Sequence, residues 1–299
     1  MTAPSRLIVV GDLITDVVAV LAGPLATGSD TPATIQVCGG GQAANTAAWI
    51  AAQKVPVTLV GAVGDDGAAG DRVAELERAG VDCVVERHPG TTTGTVIVLA
   101  TDGERTMVTE RGANLRLTAG HVERAVAAAP DATHLHLSAY PLLDAASRPA
   151  GLRALAVARE RGLTTSVDAA SAAPLRRAGA AAFLSWVRDV DLLLVNADEA
   201  AVLAGGLDPA AQARALSASA RRVVVKRGEA GAIWVDRSAT VGVAPRRRVA
   251  VVDVTGAGDA FAAGLLTAWV AGADPRAALT RAGDLGALAV STVGARPAG

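Results

Sequence analysis

Aromatic side chains are scarce in this chain of 299 residues: they make up 2% of it, with Tyr140 the single tyrosine. The hydrophobic share is still 51%, so the core must be aliphatic, built of alanine, valine and leucine. Cysteine is nearly absent. Cys38 and Cys83 make no disulfide framework, which fits a reducing cytoplasm. An excess of one charge is missing too, for the net charge is −1, which removes the electrostatic case for binding nucleic acid or an anionic membrane. The one basic run, Arg246-Arg247-Arg248, reads as an exposed loop or strand end. Leu7-Ile8-Val9-Val10 meets Gly11 and Asp12 at once, too soon for a signal segment or a membrane span. No G-x-x-x-x-G-K-[ST] sequence occurs, so no P-loop grips a phosphate. No complete G-x-G-x-x-G follows the first apolar run, which weakens a dinucleotide-dependent oxidoreductase. His88, His121, His134 and His136 lack metal-ligand spacing. His134 and His136 alternate along one strand and are expected to pack against neighbouring helices.

What the chain does have is an alternating rhythm. Short apolar runs at 7–10, 57–63, 133–137, 164–167, 192–195 and 223–226 fit strands buried on both faces of a parallel sheet. Helical stretches at 43–53, 68–79, 119–129, 145–161 and 209–218 separate them, and two more are expected at 260–271 and 275–291. This pattern predicts a doubly wound α/β architecture. No repeat or linker divides the chain, so residues 1–299 read as one domain. Segments 13–37 and 91–114 do not fit the rhythm. The second reads as a hairpin, 95–99 and 105–109, turning at Thr101-Asp102-Gly103-Glu104.

Two glycine-rich corners carry the chemistry. In Asp253-Val254-Thr255-Gly256-Ala257-Gly258-Asp259 the glycines let backbone N–H groups approach a ligand at a helix N-terminus, where an anion is favoured. Asp259 there is either a helix cap or a general base taking a proton from an attacking hydroxyl. Earlier, Cys38-Gly39-Gly40-Gly41-Gln42-Ala43-Ala44-Asn45 again runs into a helix. Its Asn45 offers a donor and an acceptor to hydroxyl groups or satisfies local backbone.

Together and in this order, the two corners resemble the N-terminal and C-terminal signatures of the PfkB/ribokinase family of carbohydrate kinases, over nearly the whole chain. The pairing favours the base for Asp259. The resemblance implies a ribokinase-like fold, a three-layer α/β/α domain with a mostly parallel central sheet. It also implies that segments 13–37 and 91–114 form a β lid over the sugar, with two lids joining a homodimer. The reaction implied is ATP-dependent phosphorylation of a hydroxymethyl group on a small sugar or sugar derivative.

Further roles follow from the same resemblance. Gly256, Ala257 and Gly258 would form the anion hole. Asp16, Gly40, Gly41, Asn45 and Asp259 would line the sugar pocket. Asn196 and Glu199 of Asn196-Ala197-Asp198-Glu199 match the N-x-x-E element, with Asn196 on phosphate oxygens and Glu199 on Mg2+, directly or through water. The same four residues also read as a capping box. Gly228 would border the nucleotide, and Lys226 is either a phosphate ligand or a solvated surface lysine. Asp253, Thr255, Ala289, Thr292 and Gly294 match positions that hold a monovalent cation, usually K+; Ala298 stands where ribokinases have a serine.

Other positions depart from ribokinase. Ile14 replaces an asparagine, Gln42 a lysine, and Ser138-Ala139-Tyr140 an acidic residue, which argues against ribose itself. Arg105, Arg111 and Asn114 are candidates for the far end of the substrate. Arg111 suits an acidic or phosphorylated sugar, although pairing near Glu110 or with solvent is the commoner outcome for a lid arginine. Tyr140 packs against a sugar or base, or beneath the lid. Asp168 faces the cleft or caps the following helix. A nucleoside kinase (pseudouridine included) and a non-catalytic sugar sensor are the alternatives.

Overall fold

The computed structural model describes residues 5–101, 104–206, 208–246 and 249–297. Its strands are β1 (Arg6–Val10), β2 (Ile14–Leu21), β3 (Ala33–Gly40), β4 (Val57–Gly64), β5 (Asp82–His88), β6 (Gly94–Thr101), β7 (Glu104–Glu110), β8 (Ala132–Ser138), β9 (Thr164–Asp168), β10 (Leu192–Asn196), β11 (Arg222–Lys226), β12 (Ala232–Asp236) and β13 (Thr240–Val243). Its helices are α1 (Gln42–Ala52), α2 (Gly67–Arg78), α3 (Ala119–Ala127), α4 (Tyr140–Leu143), α5 (Arg148–Glu160), α6 (Ala172–Ala178), α7 (Ala180–Trp186), α8 (Ala197–Ala204), α9 (Pro209–Leu216), α10 (Ala257–Val270) and α11 (Pro275–Val290).

All six expected apolar runs are strands of one sheet, ordered β13-β12-β11-β10-β9-β8-β1-β4-β5. They are parallel to one another, while β12 and β13 add an antiparallel edge. Because side chains alternate across a strand, each strand feeds two cores. Ile8, Val10, Leu135, Leu137, Leu193 and Val195 enter the layer covered by α3 and α5–α9. Leu7, Val9, Leu192, Leu194 and Val224 enter the layer covered by α1, α2, α10 and α11. This is the three-layer, ribokinase-like arrangement.

A second sheet, ordered β3-β2-β6-β7, comes from the two segments outside the βαβ rhythm. The expected hairpin is β6 and β7; its turn residues Asp102 and Gly103 lie outside the described residues. Ile14 pairs with Gly40 and Asp16 with Cys38, so Cys38, Gly39 and Gly40 end a strand rather than form a turn. One face of this sheet carries the row Val37, Val17, Ile97 and Val108. Val37, Ile97 and Val108 are exposed there, as is Ile35.

Two boundaries and one packing expectation are corrected. Helix α10 begins at Ala257, three residues before the expected start, because Gly256 in a left-handed conformation (φ 72°) caps it. Helix α5 begins at Arg148 after Ser147, with a proline in its first turn, where proline's missing N–H costs nothing. His134 and His136 bond mainly across the sheet, to Ser166 at 2.8 and 2.7 Å, while His134 also meets Trp269 edge-on. Burial holds both rings neutral. Of the basic run, Arg247 and Arg248 lie outside the described residues.

Leu135 sits at 0% exposure in the central strand β8. Leu135→Ala should cost about 2–5 kcal/mol, read as a lower urea midpoint at unchanged slope. A loss below ~1 kcal/mol would mean the core collapses around the gap.

Candidate active site

Parallel strands align their carboxyl ends, and a crevice opens where successive connections leave in opposite directions. Here β1 leads to β4 on one side, while β8 lies on the other. Asp12 follows β1 at this point. Ser138, Asp168, Asn196 and Lys226 end β8, β9, β10 and β11. Register sets Ser138 opposite Asp168 and Asn196 opposite Lys226.

Those ends are cross-linked. Lys226 Nζ donates to Asp168 Oδ2 at 2.5 Å, and Gln42 Nε2 donates to Asp168 Oδ1 at 3.1 Å. Ser138 Oγ donates to Gln42 Oε1 at 2.6 Å. Asp168 thus faces the cleft and caps no helix. Lys226 is not a solvated surface lysine: burial works against its charge, yet Asp168 and Glu199 hold its pKa above the usual value.

Gly256 is fixed as glycine twice over. Its φ is positive, and a Cβ there would meet the Ala295 carbonyl oxygen at 2.3 Å. The tight corner brings Gly258 and Asp259 into the first turn of α10, whose leading N–H groups have no intrahelical partners. Ala257 N–H is taken by the Val254 carbonyl at 3.3 Å. A Cβ on Gly258 would stand 3.6 Å from Lys226 Nζ, so an ammonium borders the corner. Asp259 Oδ2 accepts from Asn45 Nδ2 at 2.9 Å, and the N-terminal glycine motif and the C-terminal one therefore meet in a single bond. Burial raises the Asp259 pKa to about 7; the Asn45 bond works against this rise and the nearby Asp168 adds to it.

The remaining sugar-pocket candidates converge on the same end. A Cβ on Gly40 would overlap the Asp16 carboxyl group, and one on Gly41 would approach the Asp12 carbonyl oxygen to 2.5 Å. Burial, with Asp12 nearby, lifts the Asp16 pKa to about 6. On the other side of Asn45, Arg296 Nε donates to Asn45 Oδ1 at 3.1 Å. Arg296 also donates to the Gly40 carbonyl at 3.1 Å and to Glu75 at 3.2 Å. Nothing in the local sequence pattern marks Arg296.

Asn196 and Glu199 form the capping box in full. Asn196 Oδ1 accepts from Glu199 N–H at 2.9 Å, and Asn196 N–H and Nδ2 donate to the two Glu199 carboxylate oxygens at 2.8 and 2.7 Å. Glu199 is buried, which raises its pKa. Gly228 opens a short 3₁₀ turn after β11 and is exposed. Asp253 accepts from Thr255 N–H and Oγ1 at 2.9 and 2.6 Å and from Gly294 N–H at 3.0 Å. The two halves of the expected cation site therefore adjoin. The Ala289 carbonyl, in the last turn of α11, accepts from both Thr292 N–H and Oγ1 at 3.2 Å. Ala298 lies outside the described residues.

Arg111 pairs neither with Glu110 nor mainly with solvent. Its guanidinium lies 4.1 Å from the Tyr140 ring centroid and 3.6 Å from Asp12 Oδ2. Tyr140 is thus covered from the end of β7. Asn114 is structural: it exchanges bonds with Leu13 N–H and carbonyl and holds the Arg111 carbonyl, all at 3.0–3.1 Å. The Arg105 side chain lies outside the described residues. A cavity of about 1010 Å³ lies at the strands' amino ends, lined by Thr133, Thr164, Asp191 and Arg222. It shares no residue with this cleft, and the convergent chemistry places the candidate site here instead.

A doubly wound domain, with a carboxyl group at a glycine-capped helix start and a small separate sheet, defines the class. The chain belongs to the pfkB family of carbohydrate kinases, whose profile matches residues 4–298. An ATP-dependent ribose-1-phosphate kinase from Halopiger xanaduensis is 34% identical over 279 residues, 92% of this chain and 88% of the relative. A 2-dehydro-3-deoxygluconokinase from Thermoproteus tenax is 30% identical over 244 residues, covering 79% and 74%. In fold, the chain superimposes on an adenosine kinase from Sinorhizobium meliloti with a TM-score of 0.87 and 24% identity, covering 98% and 96%. Among the described residues, no helix is long and apolar enough to cross a membrane.

An acid whose pKa rises from 3.8 to about 7 on folding binds more protons folded than unfolded between those values. Its contribution is complete at low pH and is lost as pH rises through about 7, at ~1.4 kcal/mol per unit of difference. Asp259→Asn should therefore flatten the fall in Tm between about pH 4 and 7 and raise Tm in mild alkali. An unchanged slope would place the titrating group elsewhere.

Proposed function

We propose that this kinase moves the terminal phosphoryl group of ATP to a hydroxymethyl group of a small sugar that already bears a phosphate, with Asp259 as general base. The observation that carries the reading is the Asn45–Asp259 bond at the corner capped by Gly256. It sets a carboxyl group of raised pKa beside N–H groups suited to an anion. As the new O–P bond forms and the bond to ADP breaks, Asp259 takes the hydroxyl proton. Gly256, Ala257 and Gly258 act as the anion hole for the charge that develops. Of the three, the Ala257 N–H must first give up Val254.

Asp16, Gly40, Gly41 and Asn45 hold sugar hydroxyls. The phosphorylated substrate rests on Arg111, stacked on Tyr140 at the cleft with an ion pair of only 3.6 Å, and on the similar Halopiger kinase, named for ribose 1-phosphate. Because the Tyr140 ring is covered by Arg111, it suits a nucleobase poorly, which disfavours a nucleoside kinase. A sensor without catalysis would have no use for a proton acceptor of raised pKa.

For the nucleotide, Asn196, Lys226 and Gly228 would border the phosphates and Glu199 would hold Mg2+, which would supply charge neutralisation at the phosphates. Among the described residues, no three His, Cys, Asp or Glu side chains converge on a metal position. Both Glu199 oxygens accept from Asn196, so contact through water fits better than a direct bond. Asp253, Thr255, Thr292 and Gly294 would hold K+; Ala289 fits that set least, its carbonyl being committed to Thr292. The four-stranded sheet serves as the lid of a single domain. Its exposed row of Val37, Ile97 and Val108 supports a homodimer through the lid. A cytoplasmic location completes the reading.

ADP release should appear with ATP, Mg2+ and ribose 1-phosphate or another phosphorylated pentose, and Asp259→Asn should lower kcat on the order of 10²–10⁴-fold. Turnover at the unmodified rate would remove Asp259 as the base. Arg111→Ala should reduce the kcat/KM ratio of phosphorylated over neutral sugar by roughly tenfold, the loss of one charge-assisted contact. An unaltered ratio would reject Arg111 as the phosphate ligand.

A further inference from the structure

Asn45 stands between an acid and a base. Its Nδ2 donates to Asp259 at 2.9 Å, and its Oδ1 accepts from Arg296 Nε at 3.1 Å. An asparagine amide has two orientations of nearly equal shape, and only its neighbours select between them. A guanidinium has donors and no acceptor, so Arg296 accepts only the orientation that turns Oδ1 toward itself. Nδ2 must then face Asp259.

Arg296 is itself held in place. Its other nitrogens donate to the Gly40 carbonyl and to Glu75, and a Cβ on Gly39 would overlap its guanidinium. The preceding residue is anchored by Trp49 Nε1, which donates to the Ala295 carbonyl at 3.0 Å. The arginine therefore reaches Asn45 from a segment tied to α1, and its fork has little freedom to turn away.

We propose that Arg296 is a positioning residue for the base: by holding Asn45 Oδ1 it keeps the amide donating to Asp259, and so keeps Asp259 in its proton-accepting form. This rests on the reading of Asp259 as base. Without Arg296 the amide is free to flip, and Oδ1 would then face a carboxylate oxygen, an arrangement stable only when Asp259 is protonated. Both the lost donation and the flip favour the acid form. The other groups bearing on Asp259 are Asp12, Asp168 and Lys226, with Tyr140 also within its field. Those bearing on Arg296 are Glu75, Arg72, Asp16 and Cys38. Arg296→Met leaves all of these side chains in place.

The test is the pH dependence of kcat. Arg296→Met should move the acidic limb upward by ~0.5–1 pH unit, with kcat several-fold lower at the acid end and near the unmodified value in alkali. Arg296→Lys, another donor without an acceptor, should return the limb toward its original position. A loss of packing alone would lower kcat or Tm at every pH and leave the limb in place, and that result for a folded Arg296→Met overturns the proposal. Should Arg296→Met not fold, the unmodified protein decides by NMR. The ¹⁵N-labelled Asn45 side-chain amide protons should titrate with the Asp259 carboxyl group, and an amide signal indifferent to that titration overturns the assignment. If Asp259→Asn retains full turnover, the base reading fails first; if it does not and the limb stays fixed in Arg296→Met, only the role of Arg296 fails.

Discussion

Gathering Asp12, Asp16, Asp168, Glu199 and Asp259 at one end of a sheet sets like charges near one another in a poorly solvated cleft, which opposes folding with all of them ionised. The molecule answers four of the five in different ways. Asp168 is paired with Lys226. Asp12 accepts backbone N–H groups at the start of α1. Glu199 is closed into a capping box. Asp259 is buried and receives one neutral donor, Asn45, which only partly offsets the rise in its pKa that burial causes. On the proposed reading of Asp259 as base, a neutral amide bond in place of an ion pair leaves that carboxyl group able to take a proton.

The fold explains why that difference is available. Parallel strands deliver their last residues to a common edge, which supplies Asp12, Ser138, Asp168 and Lys226 without any of them being near in sequence. Helices α1 and α10 then begin at the same edge, each after glycines whose missing Cβ atoms make room for close neighbours. The resulting Asn45–Asp259 bond joins residues 214 positions apart. Its strength as a constraint comes from the rigidity of both helix starts.

Much of this was legible in the chain itself. The inner strands were visible because burial on both faces demands unbroken runs of valine and leucine, and the glycine corners because few other functions need glycine before a helix with polar residues on its first turn. Strand β13 was not, since an antiparallel edge tolerates Gly242 and exposed residues and leaves no such run; β12 does carry one, residues 232–235, but no helical stretch sets it apart from β11. Lys226 was ambiguous because its partner Asp168 depends on strand register, 58 residues away. Arg296 carried no signal at all: one arginine near the C-terminus acquires meaning only when the chain returns it to Asn45. Asn114, a candidate for the substrate's far end, holds backbone in the fold; an asparagine that satisfies backbone and one that binds hydroxyls look alike in sequence.

The most direct measurement is a crystal structure of the protein with a non-hydrolysable ATP analogue and ribose 1-phosphate. The account predicts the acceptor hydroxymethyl oxygen within hydrogen-bond reach of the Asp259 carboxyl group, Asn45 between Asp259 and Arg296, and the sugar phosphate at Arg111. A hydroxymethyl group turned away from Asp259, with another side chain against its oxygen, would contradict it.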